Sequence, residues 1–312
     1  MATVLGIDCS NSNGNIGVTN CVASPGQKIG HIKINDPSWS APISETFNKA
    51  YWNNLVQQGI AQFFSGAFGV TTETADPTTE TSSLQIQSVT SRALPVVTSI
   101  FKKGYEWHAG AFTNSGFGEA QVIEIFQDGS LRVFLSKDGT TVSGAQVGMY
   151  EVLTVQDATD AASQQSRIMY QMVDLLQYNT QGVFLTNLDF NPNTEIYNIL
   201  DINMTGRADT SDGKLYIKTP WLRSPNQSIL GFASANFQIE LAGVSEAIVG
   251  ALVYNANTKE WAITPTTAVA NGQSWVVKTY DDTASPEVAV AKVGTTTPKF
   301  YKGETPAFVA VA

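Results

Sequence analysis

The stretch EAQVIEIFQDGSLRVFLSKDGTTVSG, residues 119–144, decides how this chain is read. Two Asp-Gly pairs, Asp128-Gly129 and Asp138-Gly139, divide three runs of strand-forming residues. Asp-Gly suits the positive φ angles of a two-residue hairpin and keeps the flanking strands in register. Residues 119–127, 130–137 and 140–144 are therefore expected as a meander. In its middle run Leu131, Val133 and Leu135 face one side while Arg132, Phe134 and Ser136 face the other.

The same period continues outward over residues 83–177. Val147, Met149, Leu153 and Val155 predict a fourth strand, with Glu151 as its one break. After a polar connector at 157–165, Ile168, Tyr170, Met172 and Leu176 alternate with Met169, Gln171, Val173 and Leu175, a strand apolar on both faces. Upstream, Leu84, Ile86 and Ser88 alternate with Gln85, Gln87 and Val89. A long strand region then runs over 96–112, with Pro95 at its edge or entrance, punctuated by Gly104 and Gly110, and by Gly116 and Gly118 just beyond it.

Nearer the N-terminus, residues 43–64 form the one strong helix candidate. Ser40 is its expected cap and Pro42 lies in its first turn. Phe47, Tyr51 and Leu55 make one row, and Trp52, Val56, Ile60 and Phe63 make a second, so the helix has either two working faces or one wide stripe. Gly59 weakens it late, and Gly66 and Gly69 end it. Residues 70–83 hold six Thr, two Ser, three acids and a Pro, the composition of a loop or surface excursion. Residues 1–30, rich in Asn, Ser and Gly, read as an extended arm, ahead of a short strand over 29–34. Asp8, Asn11, Asn13 and Asn15 around Gly14 have the wrong spacing for a calcium loop.

Breakers at Asn179, Gly182, Asn191, Pro192 and Asn193 place a domain boundary near Asn187. The reading is of an N-terminal arm, 1–30, a β-domain over 31–186 containing helix 43–64, and a C-terminal β-sandwich or barrel over 187–312. Strands in the last part are expected at 199–204, 214–218, 236–241, 248–254, 260–264, 274–280 and 287–293, with the apolar residues 307–312 as a final strand. The fold class is mainly β: two successive β-sandwich or barrel domains with one α-helix near the N-terminus.

Composition narrows the function. Charged residues are 14% of the 312, against roughly 25% in an ordinary soluble domain. A surface poor in charge loses little solvation when it meets other protein. The net charge of −9 opposes a sequence-specific nucleic-acid groove, which needs clustered Lys and Arg. Lys102-Lys103 is a lone basic doublet. No stretch approaches the roughly 20 apolar residues of a membrane span, and the first residues lack the pattern of a signal peptide. Two cysteines, Cys9 and Cys21, allow one bridge and no disulfide framework.

Chemistry has few residues to draw on. With only His31 and His108, a Ser-His-Asp or His-rich metal site is poorly supplied. Glu106 and His108 would share a face of the expected strand, either as an acid–base pair or around a structural histidine. Asp209, Asp212 and Gly213 read as a plain turn. Six Trp at 39, 52, 107, 221, 261 and 275 raise sugar stacking, and core or interface anchoring as the simpler use. No phosphate loop, dinucleotide fingerprint, nucleophile elbow or metal-ligand motif occurs. The expectation is a non-enzyme with no catalytic, cofactor-binding or metal-ligating set.

Glu80-Thr81, Arg92-Ala93-Leu94-Pro95, the run Phe101-Lys102-Lys103-Gly104-Tyr105-Glu106-Trp107-His108, Asp128-Gly129, residues 144–149 and the strand 167–176 give a pattern that resembles structural proteins of bacteriophage particles. The resemblance covers about residues 80–185. It implies a virion subunit that self-assembles in the host cytoplasm into a symmetric multimer, with itself and other virion proteins as partners. Tail-tube subunits are the nearest kind. Major capsid proteins of two β-barrels or jelly rolls compete, although a helix ahead of most strands departs from jelly-roll order. A different class is a glycan-binding module or adhesin using Trp221, Trp261 or Trp275. The arm 1–30 and the Thr-rich 70–83 are the segments expected to order against neighbouring subunits.

Overall fold

A computed structural model of the chain describes residues 26–311 apart from 77, 82–86, 92, 104, 115–117, 160–162, 175–176, 178–181, 222–223, 282–288 and 296–297. Ahead of residue 26 it describes only Thr3–Val4, Ile7–Asp8 and Asn20–Cys21. The chain is mainly β, as its alternation predicts. Two units divide it, Met1–Leu55 with Gly59–Ile196, and Val56–Gln58 with Tyr197–Ala312. Among the described residues no helix is long and apolar enough to cross a membrane.

The first unit runs β1 (Lys28–Ile34), α1 (Lys49–Gln57), β2 (Ala61–Ser65), β3 (Gly69–Glu73), β4 (Thr78–Thr81), β5 (Gln87–Ser91), β6 (Val96–Phe101), α2 (Tyr105–Asn114), β7 (Ala120–Phe126), β8 (Leu131–Leu135), β9 (Thr141–Ser143), β10 (Ala145–Gln156), β11 (Gln165–Met172) and β12 (Gly182–Thr186). β7 pairs with β1 and with β10, β10 with β11, β11 with β6, and β6 with β3, all antiparallel. β2 pairs with β1 and continues through a bend at Gly66 into β3. In that bend the Ala67 amide donates to the Ile29 carbonyl at 2.7 Å and the Phe68 amide to the Ile100 carbonyl at 2.7 Å. The pairings thus return to their starting strand, and the sheet curls into a ring in which β2 and β3 act as one bent strand. β8 pairs with β7 at Glu124↔Arg132 and Ile125↔Leu131, then carries β9 and β12 away from the ring.

Inward-facing residues of the ring form one core. Phe64, Val97, Phe101, Ala120, Val122, Val147, Tyr150, Val152, Ile168, Tyr170 and Met172 belong to it, and Trp107 of α2 packs against it. β7 is buried on both faces, so Ile123 and Ile125 are covered as completely as Val122. On their side of the sheet Ile32, Ile34 and Phe63 are buried with Trp52 of α1, whose ring meets that of Phe63 edge-on at 5.7 Å. Gly30 has to be glycine for contact reasons: a Cβ there would lie 2.2 Å from the Phe64 carbonyl oxygen of the neighbouring strand.

The second unit contains β13 (Thr205–Asp209), β14 (Lys214–Lys218), β15 (Phe237–Leu241), β16 (Val244–Glu246), β17 (Val253–Asn255), β18 (Glu260–Ile263), β19 (Ser274–Thr279) and β20 (Phe308–Val309). They form two antiparallel sheets, ordered β13-β14-β18-β17 and β16-β15-β19-β20. Single bridges, Asp209↔Val311 and Ile248↔Pro265, tie the sheets at both sides. Between them lie Leu215, Ile217, Phe237, Ile239, Trp261, Ile263, Trp275 and Val277.

Several local expectations change. The meander forms, yet its turns are longer than two residues. The Phe126 amide bonds to Ser130 and the Ser136 amide to Thr141, which leaves loops of three and four residues, and among the loop residues only Gly129 (φ 84°) and Gly139 (φ 73°) take positive φ. Helix 43–64 shrinks to a 3-10 turn, Glu45–Phe47, and α1. Gly59 at φ 74° ends α1, with the Ile60 amide returning to the Leu55 carbonyl at 2.9 Å, and residues 61–65 become strand. Ser40 does not cap: Ala41–Pro42 is a short strand paired with β9, and the Lys49 amide is bound by Asp189 instead. The strand expected over 96–112 stops at Phe101 and is followed by α2. Within the excursion 70–83 lie most of β3 and all of β4. Thr3–Val4 of the arm pairs with Leu185–Thr186; Cys9, Asn11, Asn13 and Asn15 lie outside the described residues.

Candidate functional site

The chemistry-bearing residues collect inside the first ring. β1 alternates, so His31 and Lys33 point one way and Ile32 and Ile34 the other. The cross-strand partners are His31↔Glu124 and Lys33↔Val122, and Val122 belongs to the ring core, so His31, Lys33 and Glu124 project inward. Their exposures are 0%, 3% and 1%. His31 Nε2 lies 2.8 Å from the Tyr150 hydroxyl. Its ring centroid is 5.2 Å from that of Phe64 and 5.0 Å from that of Tyr170. Lys33 Nζ stands 4.7 Å from the centre of the Tyr150 ring. Glu124 accepts from Lys28 Nζ at 2.6 Å and from Arg132 Nη1 at 3.4 Å.

Burial sets the electrostatics. It lowers the His31 pKa to about 3, with the charges of Lys28 and Lys33 adding to the effect. Burial also draws Lys33 down to about 8 and raises the Tyr150 phenol well above its usual value. At neutral pH His31 and Tyr150 are both neutral, and a base of pKa near 3 is far from the range that serves proton transfer at pH 7. The cluster works instead as a polar pin. A one-residue slip of β1 would turn His31 and Lys33 out of the ring and separate them from Tyr150 and Glu124.

A polar groove of about 570 Å³ lies elsewhere in this unit, lined by Asp128, Thr186, Asn187, Asp189, Asn191 and Glu195 among others. Its acids have structural duties. Asp128 Oδ1 holds Ser130 at 2.7 Å and 3.0 Å. Asp189 Oδ1 accepts the first amide of α1 at 2.6 Å, and Glu195 accepts from Lys49 Nζ at 2.8 Å and the Asn191 amide at 3.1 Å. Among the described residues no group of three or more His, Cys, Asp or Glu is placed to hold a metal ion.

The residues singled out by sequence fall apart as a site. Glu106 and His108 sit two positions apart on α2 rather than on a strand, and residues so spaced do not share a helix face. The His108 ring lies 6.3 Å from that of Phe112, one turn on, and burial lowers its pKa. Asp209 and Asp212 belong to the turn after β13: Asp209 Oδ1 accepts from Ser211 and Asp212 Oδ1 from Lys214. Trp52 and Trp275 are fully buried, Trp39 and Trp261 nearly so, and Trp107 and Trp221 pack partly buried against the two cores. The pairing of His31 with Tyr150, 119 positions apart, went unread. Its only trace in the sequence is two polar residues alternating with Ile32 and Ile34. No family model matches the chain, and no curated protein matches it in sequence.

Proposed function

We propose that the chain is a non-enzymatic structural subunit of a phage particle, of the tail-tube kind, whose work is association with further copies of itself. The β4–β5 ribbon carries this reading. It pairs from Thr78↔Ser91 to Thr81↔Gln87 as a separate two-stranded sheet, and every described residue from 71 to 80 is exposed. A two-stranded ribbon by itself is marginal in water, so it gains most by lying against another protein surface. A charge content of 14% supports the same reading, because sparse charge lowers the desolvation cost of such contacts.

The glycan-binding alternative has less to stand on, since Trp261 and Trp275 lie in the second core and offer no face to a sugar. Electron microscopy of the purified chain, with mass by light scattering over a range of concentration and salt, tests the proposal. Rings or stacked tubes are expected. Closed shells would replace the tube with a capsid. A chain that stays monomeric under every condition would overturn the reading.

A further inference from the structure

We propose that Asn271 is a self-modification site, an asparagine that loses ammonia through its own backbone, and that the docked strand β20 controls when it does so. This stands on the second unit alone and is independent of the association reading.

The sequence holds two Asn-Gly pairs, Asn13-Gly14, which lies outside the described residues, and Asn271-Gly272. Glycine after asparagine leaves its amide nitrogen open to reaction, because no Cβ stands beside it. The Gly272 nitrogen bonds to Asn271 Cγ, the Cγ–Nδ2 bond breaks, and the Gly272 amide proton leaves with Nδ2 as ammonia. Water then opens the cyclic imide at either carbonyl, giving aspartate or isoaspartate. Water is the one co-reactant, and both residues are exposed to it.

The backbone holds the reaction back. The Gln273 amide donates to the Ala270 carbonyl at 3.2 Å, closing a turn in which Gly272 has φ 83° and Asn271 does not take positive φ. These are the marks of a type II turn, with ψ at Asn271 near about +120°. That geometry turns the Gly272 nitrogen away from the Asn271 side chain, and ring closure needs the two brought together. The run through β20 fastens the turn. The Gly272 amide donates to the Ala310 carbonyl at 3.0 Å, and the Ala310 amide donates to the Gln273 carbonyl at 2.9 Å. Ala310 is completely buried. Ser274↔Val309 and Trp275↔Phe308 continue the pairing, and the Phe308 ring lies so close to Gly206 that a Cβ there would come within 2.3 Å of it. The proton that must leave is therefore the one bonded to Ala310, and the turn cannot rearrange while residues 308–310 are seated.

Asp128-Gly129 and Asp138-Gly139 differ in both respects. Their glycine amides bond within their own turns, to the Phe126 and Ser136 carbonyls at 3.0 Å each, and their side chains are carboxylates, which resist attack by nitrogen. At Asn271 the lock comes from another strand. Isoaspartate would lengthen the main chain there, so that Gly272 no longer reached Ala310 with β20 in its present register. Modification thus records release of the strand and keeps it from returning.

Peptide mass spectrometry of the full chain at neutral to mildly alkaline pH, beside a free peptide of residues 268–276 and a Phe308→Ala variant, tests this. Conversion scales with the population of the open turn. The parent is expected to convert at least about tenfold more slowly than the peptide, equivalent to ~1.4 kcal/mol of protection, and Phe308→Ala should restore most of that factor. Hydrogen exchange at the Gly272 amide of the parent, in mild denaturant, serves if the variant does not fold: exchange and conversion should rise together. A parent that converts as fast as the peptide would overturn the proposal. So would a folded variant that opens at Gly272 without converting faster, or exchange and conversion that vary independently.

Discussion

Two β-units in one chain differ in what their interiors bury. The ring of the first encloses His31, Lys33 and Glu124 among Tyr150, Tyr170 and Phe64, held by a 2.8 Å hydrogen bond and a 2.6 Å ion pair. Among the described residues of the second unit no His, Lys or Arg is buried, and its buried acids, Glu260 and Asp281, keep 7% and 5% of their exposure. The two units are thus stabilised in different ways. Where the interior is apolar, stability depends on volume and fit. Where it is polar, stability depends on every partner being present and in the right protonation state.

Acid should separate the two units most strongly. His31 keeps its neutral form down to about pH 3 when folded but takes up a proton near 6.5 when unfolded. The contribution of this folded, depressed pKa is therefore whole above pH 6.5 and is lost as pH falls toward 3, at about 1.4 kcal/mol per pH unit. Calorimetry should show the transition of the first unit falling steeply over this window, and His31→Phe should flatten the slope. Equal slopes in parent and variant would remove the polar interior as the source of the difference.

Trp275→Ala probes the other side. Trp275 is fully buried, and truncation of a buried Trp costs about 3–5 kcal/mol. The loss should appear in the transition of the second unit, with the acid slope of the first unchanged. A smaller effect is expected from Tyr150→Phe, which keeps the ring and leaves His31 Nε2 without its hydroxyl partner. A buried polar atom left unpaired costs about 1–3 kcal/mol, measured by chemical unfolding of the first unit. A neutral or stabilising result would mean that the hydroxyl matters less than the packing of its ring.

Much of the fold was legible because period-two alternation survives burial on one face. β11 buries every second residue from Ser166 to Met172, and β14 was found at residues 214–218 as expected. The failures have local causes. Ile60 and Phe63 fit a four-residue spacing as well as a strand, so only the left-handed geometry at Gly59 separates α1 from β2. At 96–112 the break lies at Lys102-Lys103-Gly104, and the helical spacing of Trp107 with Ala111 and His108 with Phe112 was hidden inside a run read as strand. The polar pin was not legible for a further reason. β1 is covered on both faces, so alternation could not say whether His31 and Lys33 or Ile32 and Ile34 looked into the ring. That choice depends on Tyr150 and Glu124, about a hundred residues away.

The capping of α1 from Asp189 bears on how the chain emerges from a ribosome. The helix leaves first, yet its opening amide waits for a carboxylate 140 residues later, and Lys49 waits for Glu195, six residues further still. β1 likewise lacks its β7 partner until residue 126 has been made. Synthesis at about 5–20 residues per second therefore leaves the early strands without most of their neighbours for several seconds or longer. Nascent chains halted before residue 189 should remain open to protease and chaperone, and those extended past 195 should close.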